Sequence, residues 1–167
     1  MSPLAPRILV VADPGPDPDD VKALIILGVM HRRRQIRLSG VVCNGGGRPE
    51  IRARLARVVL DNVLGCESVP VAVGSAGSPS PEHGYEYDIP GIDQIPASRL
   101  FNGRDLIRNV LLTSPPRSLR VLIISSLRDF ADAIETMGDA VKRAVETVCI
   151  QGGIIPSDDP PASWAPE

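Results

Sequence analysis

Short apolar runs alternate with longer helical segments along most of the 167-residue chain, and this alternation narrows the possible folds. The runs are short and end at turn-forming residues, as buried strands do; they span residues 7–12, 36–43, 69–74, 119–125 and 145–151. The segments long enough for helices span residues 19–33, 50–63, 103–114 and 127–137. Strands separated by helical crossovers form parallel sheets. We therefore expect an α/β fold with an open, mainly parallel, Rossmann-like sheet of about five strands and helices on both faces.

Two segments interrupt the alternation. Residues 75–99 are rich in Gly, Ser, Pro and acidic residues, and we expect a long loop, which in a compact domain is usually functional or mobile. Residues 154–167 are rich in proline and cannot continue a strand or a helix. The sequence thus predicts one domain over residues 1–153 and a Pro-rich tail over residues 154–167.

The segment 50–63 has a helical period of apolar residues. We expect one buried face of aliphatic side chains, formed by Ile51, Leu55, Val58, Val59 and Val63. The same period predicts that the basic side chains point outward to solvent; they are Arg52, Arg54 and Arg57.

Charge and composition exclude several classes of protein. The net charge of −2 provides no field for nucleic acid or an anionic membrane, and 3% aromatic residues argue against a base-stacking surface. The longest apolar run, near residues 23–30, is too short to span a membrane. Three cysteines without CxxC spacing indicate a reducing compartment. Because residues 1–7 lead directly into a strand, the expected location is the cytoplasm.

An acidic turn follows the first strand. Residues 8–20 read ILVVADPGPDPDD, with Asp13 at the strand end and Asp19 and Asp20 opening the next helix. Ligands of parallel sheets gather at the carboxyl ends of strands, where a hard cation, most plausibly Ca²⁺, would neutralise these carboxylates. Helix capping by Asp19 and Asp20 is the alternative explanation. The spacing does not match an EF-hand loop.

The second strand ends in a glycine-rich turn. Residues 41–47 read VVCNGGG, which places Asn44 and three glycines beside the end of the first strand. An amide next to a carboxylate cluster suits a hydroxyl-rich ligand. A phosphate loop is disfavoured because no Gly-Lys-Ser/Thr follows, and a plain glycine turn before a helix is the remaining alternative.

Together these motifs resemble the inosine–uridine nucleoside hydrolase family. VADPGPDPDDVKAL is similar to its opening strand, D-x-D-P-G-x-D-D-A motif and apolar helix, and GVVCNGGG to its second strand. VPVAVGSAG looks like its third strand, LIISSLRDFADAI like its L-T-N segment, and VCIQGG like its M-G-G strand end. The resemblance extends in the family's order to Gly153.

The resemblance implies hydrolysis of the N-glycosidic bond of ribonucleosides, with water and a tightly held Ca²⁺. Asp13 would be a metal ligand and the general base, and Asp20 a second metal ligand. Asp19 would hold a ribose hydroxyl, Asn44 would bind the sugar or the water, and the backbone carbonyl of Ile124 would be a further metal ligand. Such a metal acidifies the attacking water, and the sugar passes through an oxocarbenium-like state.

The sequence also departs from the family pattern. Val11 replaces the family's first aspartate, and two extra residues at about 16–18 let Asp17 compete with Asp19 for its role. The L-T-N segment reads Leu-Arg-Asp at 127–129. Family members are about twice as long, and the other half carries a further metal-binding aspartate, a histidine near the leaving base and a ribose-gripping segment.

Few residues of this chain could replace those groups. Asp158 or Asp159 of the tail could serve as a substitute metal ligand. His83, in the long loop, could donate a proton to the leaving base, although a solvated loop histidine is the simpler expectation. His31, at a helix end beside three arginines, is expected at the surface.

Two functions follow from these observations. The first is a Ca²⁺-dependent nucleoside hydrolase of purine or pyrimidine salvage, which makes the chain an enzyme by family. The second is a catalytically inactive relative that serves as a ligand-binding or assembly subunit. In both, the expected partners are a nucleoside, bound through its ribose, and a second copy or partner subunit covering an exposed sheet edge, with no nucleic acid and no membrane.

Overall fold

The computed structural model describes residues 5–15, 17–77, 87 and 89–152. In this part of the chain the strands are β1 (Arg7–Ala12), β2 (Arg37–Cys43), β3 (Val71–Val73), β4 (Phe101–Asn102), β5 (Leu119–Ile123) and β6 (Val145–Ile150). The α-helices are α1 (Pro18–Arg32), α2 (Pro49–Val58), α3 (Gly103–Thr113) and α4 (Arg128–Ala144). The predicted domain boundary at Gly153 and the Pro-rich tail lie outside the described residues.

The strands form one open sheet in the order β4-β3-β2-β1-β5-β6. Every pairing is parallel, which confirms the predicted Rossmann-like α/β architecture. The sheet has six described strands rather than about five because β4, with two residues, is too short to produce a periodic pattern.

Each face of the sheet is covered by its own helices. Val10 and Ala12 belong to the cluster with α1 and α2, while Leu9 and Val11 belong to the cluster with α3 and α4. All four side chains are fully buried, so β1 is apolar at successive positions instead of alternating. Burial of each large aliphatic side chain contributes about 1.5–3 kcal/mol, and the strand that precedes the acidic turn is therefore firmly fixed.

The helix over residues 50–63 differs from its prediction. The α-helix ends at Val58 and continues as a π-helical segment, Val59–Val63. Because a π turn holds more residues than an α turn, the apolar period shifts, and Val63 is 61% exposed. The outward orientation predicted for the basic residues is wrong for Arg52 and Arg57, both of which are buried.

The buried position of Arg57 has a structural explanation. Its Nη2 lies 2.5 Å from Oδ1 of Asp61 in the π-helical segment. The guanidinium also donates hydrogen bonds to the carbonyl oxygens of Val69 and Cys66, ahead of β3. A planar five-donor group can satisfy several acceptors at once, so Arg57 attaches the chain before β3 to the end of α2.

The sheet has an exposed apolar edge at β6. Within the described residues, the outer edge of β6 has no strand partner, and Val148 and Ile150 are 39% and 56% exposed. No helix in the described part of the chain is both long enough and apolar enough to cross a membrane.

Candidate functional site

The acidic turn brings two of its carboxyl groups together. Asp13 directly follows β1, and Asp20 lies in the first turn of α1. They are close enough for the charge of Asp13 to contribute to the raised pKa of Asp20. Asp20 is buried, whereas the side chain of Asp13 is 36% exposed. Asp13 is thus the member of the pair that a ligand can reach.

The environment of this pair raises both pKa values. Burial, reinforced by the charges of Asp13 and Asp19, raises the pKa of Asp20 to about 7. Burial also raises the pKa of Asp13, but the positive charge of Arg52 opposes this effect. Because Arg52 opposes the rise in pKa at Asp13, Asp20 is the carboxyl group of the pair that takes up a proton more readily.

Arg52 supplies a positive charge that the sequence analysis missed. Its Nη1 lies 3.1 Å from Oδ2 of Asp13, and the same nitrogen donates a hydrogen bond to the backbone carbonyl of Asp13. The arginine side chain is only 6% exposed. The helical period of α2 predicted a solvated arginine. Two facts together could have identified it: an acidic cluster needs a nearby positive charge, and Arg52 lies in the first helical turn after the glycine turn.

Asn44 and Asp129 form the second polar unit. Asn44 follows β2 and is fully buried, and its Nδ2 donates to Oδ2 of Asp129 at 2.7 Å and to the carbonyl of Ser126 at 3.0 Å. Asp129, in the first turn of α4, also accepts hydrogen bonds from the backbone N and the Oγ of Ser75, both at 2.8 Å. The ends of β2, β3 and β5 therefore meet at this carboxylate.

Two glycines contribute to this edge in different ways. Gly45 has φ +82°, a backbone conformation that favours glycine, and lies beside Oδ2 of Asp13. A Cβ on Gly74 would lie 3.0 Å from both carboxylate oxygens of Asp129. Gly45 and Gly47 donate their backbone N–H groups to the carbonyls of Ser75 and Ala76. Because these donors are already used within the protein, the geometry does not favour a phosphate loop.

The other residues of the predicted site lie around this edge. Asp19 and Asp17 are exposed, and Asp17 is the N-cap residue of α1 without a side-chain capping hydrogen bond. Ile124 follows β5, and its backbone N donates to the carbonyl of Val11 at 2.9 Å. A Cβ on Gly15 would lie 3.1 Å from the phenolic oxygen of buried Tyr87, so part of the long loop lies against the acidic turn.

His31 lies at the opposite end of α1 from the acidic turn. His31 is half-buried near the end of α1, where its Nδ1 accepts a hydrogen bond from the backbone N of Leu38 at 3.3 Å. It is therefore a structural residue rather than the surface residue expected. His83, Asp158 and Asp159 lie outside the described residues.

The donor set suits a hard cation in its chemistry. Oδ1 of Asp20 and Oδ1 of Asn44 are buried oxygens without a hydrogen-bond partner in the described part of the chain, and oxygen ligands are those that Ca²⁺ prefers. No group of three or more His, Cys, Asp or Glu side chains among the described residues is arranged to hold a metal ion. The residues fit calcium by type, and two carboxylates leave its coordination sphere incomplete.

The fold and this polar edge define the structural class: the chain has the nucleoside hydrolase fold. No protein-family model and no curated protein sequence matches the chain. Among solved structures it is similar to the type III effector protein XopQ complexed with adenosine diphosphate ribose, with 25% identity and a TM-score of 0.74. The match covers 93% of this chain and 45% of XopQ.

Two nucleoside hydrolases show the same fold. A plant nucleoside hydrolase is 19% identical, with a TM-score of 0.66 over 90% of this chain and 48% of the enzyme. A purine-preferring ribonucleoside hydrolase from Gardnerella vaginalis is 18% identical, with a TM-score of 0.65 over 89% of this chain and 49% of the hydrolase. The chain thus spans about half the length of the solved structures it matches.

Proposed function

We propose that this chain is a nucleoside hydrolase-like protein that binds the ribose of a ribosyl ligand at the acidic edge and hydrolyses its N-glycosidic bond. The observation that carries the proposal is the placement of Asp13 and Asp20 at the carboxyl edge of the sheet, with Asp13 beside Gly45 of the turn that carries Asn44. The similar structures support a ribosyl ligand, because two of them are nucleoside hydrolases and the XopQ structure is a complex with adenosine diphosphate ribose.

Each residue of the edge has a role in this proposal. Asp13, kept ionised by Arg52, accepts the proton of the attacking water. Asp19, exposed at the start of α1, holds a ribose hydroxyl, and Asn44 accepts a hydrogen bond from the sugar or the water. A calcium ion, held by Asp13, Asp20 and the backbone carbonyl of Ile124, would bind the sugar diol and acidify the water.

A second function is favoured by the ion pair of Arg52 and Asp13. The guanidinium is held at Oδ2 of Asp13, and it provides positive charge where a metal ion would otherwise be required. A site neutralised in this way can bind a ribosyl ligand without hydrolysing it. In this alternative the chain is an inactive ligand-binding or assembly subunit.

A reducing-sugar assay separates the two functions. Ribose release from inosine and uridine should be detected with Ca²⁺ present and lost in Asp13→Asn. The matched control is Asp132→Asn, which changes an exposed carboxylate of α4 outside the proposed site and should retain activity. Absence of turnover at high protein concentration, with Ca²⁺ binding demonstrated by calorimetry, would contradict the hydrolase and leave the ligand-binding subunit.

We propose a reducing location such as the cytoplasm. All three cysteines are free thiols, and Cys43 and Cys66 are buried. Burial raises the pKa of the Cys43 thiol, which keeps it protonated and unreactive. Fractionation of cells that express the tagged chain, followed by thiol labelling, would test this location; detection of a disulfide would contradict it.

A further inference from the structure

The side-chain amide of Asn44 has a defined orientation. Both of its N–H groups are used, one toward the carbonyl of Ser126 and the other toward Oδ2 of Asp129. The carbonyl oxygen of Ser126 can only accept a hydrogen bond. The amide nitrogen must therefore face it, and the usual ambiguity between amide O and N is removed by the chemistry of this neighbour.

The opposite end of this amide lacks a partner. Asn44 is fully buried, and its Oδ1 makes no hydrogen bond with the described residues. Asn44 lies at the carboxyl edge of the sheet, where its own backbone N donates to the carbonyl of Ala12, the residue before Asp13. A buried acceptor without a partner is unfavourable, and a ligand that donates a hydrogen bond would satisfy it.

Asp129 is itself held on two sides. Its two oxygens accept hydrogen bonds from Ser75 and Asn44, and Gly74 leaves room for the carboxylate. Residues at the ends of β2 and β3 thus fix the position of this carboxylate. A neutral asparagine at 129 would place an NH₂ group toward either Asn44 or Ser75, and donor would then face donor.

We propose that Asp129 is a positioning residue that fixes the amide of Asn44 so that Oδ1 faces the ligand and accepts a hydrogen bond from a sugar hydroxyl. The identity of the ligand rests on the proposed function, whereas the orientation of the amide does not. Asp129 touches no ligand in this proposal; it acts through Asn44.

NMR of the Asn44 side-chain NH₂ group tests the orientation directly. The resonance pair is assigned by its loss in Asn44→Ala. In the unmodified chain we expect slow exchange with solvent, and in Asp129→Asn an exchange about tenfold faster, since a hydrogen bond to a charged acceptor is lost. Asp132→Asn is the matched control: it removes an exposed carboxylate of the same helix and should leave the exchange unchanged.

The outcomes are separable. Equal exchange rates in the unmodified chain and in Asp129→Asn would overturn the proposal. If Asp129→Asn does not fold by circular dichroism, Ser75→Ala, which removes one hydrogen bond to Asp129, should accelerate exchange by about twofold to fivefold; no acceleration would overturn the proposal.

Calorimetric titration with inosine tests the role in binding. The affinity should fall about tenfold in Asp129→Asn and stay unchanged in Asp132→Asn. Equal affinity in the two variants would overturn the proposal that Oδ1 of Asn44 accepts a hydrogen bond from the ligand. Failure of inosine to bind even the unmodified chain would contradict the proposed function, while the exchange measurement would still decide the positioning of Asn44 by Asp129.

Discussion

Arg52 and Asp13 are 39 residues apart in sequence, and Nη1 of the arginine lies 3.1 Å from Oδ2 of the aspartate. The guanidinium comes from the helix after β2, and the carboxylate comes from the turn after β1. The ion pair thus joins two crossover connections above the sheet. It places a fixed positive charge beside two carboxyl groups that would otherwise repel each other.

Replacement of Arg52 should reveal this repulsion. Arg52→Met keeps the length of the side chain and removes its charge, which leaves Asp13 uncompensated beside Asp20. We expect a loss of about 1–3 kcal/mol in the free energy of unfolding, less than for a fully buried pair because Asp13 is partly exposed. Urea denaturation without calcium measures the loss.

The control for this variant lies on the same helix. Arg54 makes an exposed i,i+4 ion pair with Glu50 at 2.7 Å, and Arg54→Met should change the free energy by less than about 0.5 kcal/mol. Equal losses in Arg52→Met and Arg54→Met would show that the pair with Asp13 is no stronger than an ordinary surface pair.

Asp20→Asn should change how stability depends on pH. Burial and the charges of Asp13 and Asp19 raise the pKa of Asp20 from 3.8 to about 7. Between these values the folded chain holds a proton that the unfolded chain has released, so the free energy of unfolding falls as pH rises from about 4 to about 7. A neutral amide removes this fall.

Thermal unfolding in EDTA tests that dependence. The Tm of Asp20→Asn should equal that of the unmodified chain at about pH 4 and exceed it at about pH 7.5. Asp17→Asn, at an exposed position of the same turn, should follow the unmodified chain at both values. A lower Tm for Asp20→Asn at the higher pH would mean that the ionised carboxylate stabilises the fold.

Gly74→Ala should disturb the Asp129 carboxylate. The added Cβ would lie 3.0 Å from both oxygens of Asp129 and 2.9 Å from Cγ1 of Val42, so neighbouring groups must move. We expect a cost of about 1–3 kcal/mol, as for other overpacked sites. Gly138→Ala is the control because its Cβ would have no neighbour within 4 Å. Equal stability of the two variants by urea denaturation would contradict the close contact.

The outer edge of β6 predicts self-association. Val148 and Ile150 are exposed beside an edge that lacks a strand partner in the described part of the chain, and exposed apolar edges favour pairing with another chain. We expect light scattering at micromolar concentration to detect a second copy and Val148→Lys to weaken the association. Leu112→Lys, at an exposed position of α3, is the control. A monodisperse monomer would contradict the prediction.

The sequence predicted most of the fold because the fold depends on period and length. Five of the six described strands coincide with short apolar runs, and the four α-helices overlap the longer segments, although α4 continues past the predicted end at residue 137 to Ala144. Strand β4 was missed because two residues carry no period. The prediction that Arg52 and Arg57 point to solvent was wrong. A helical period places charged residues on the outer face because it contains no information about buried acceptors nearby.

The site was predictable only where it depends on strand ends. Asp13 and Asn44 were expected at the carboxyl edge because both follow strands, and the structure places both there. Asp129 was recognised only as a departure from a family motif. Its hydrogen bonds to Asn44 and Ser75 depend on how α4 packs against β2 and β3, which local sequence does not encode. The catalytic and metal-binding roles remain predictions.

The central place of β1 also has a kinetic consequence. Arg7 pairs with Arg37 on one side and with Leu119 on the other, so the middle of the sheet closes only when distant parts of the chain meet. Contacts between residues far apart in sequence form slowly, because the entropy cost of loop closure comes before the contact energy is gained. The hydrogen bond between Asn44 and Asp129, which joins residues 85 positions apart, should therefore be among the last to form on refolding. A ribosyl compound that binds there should slow unfolding without accelerating folding.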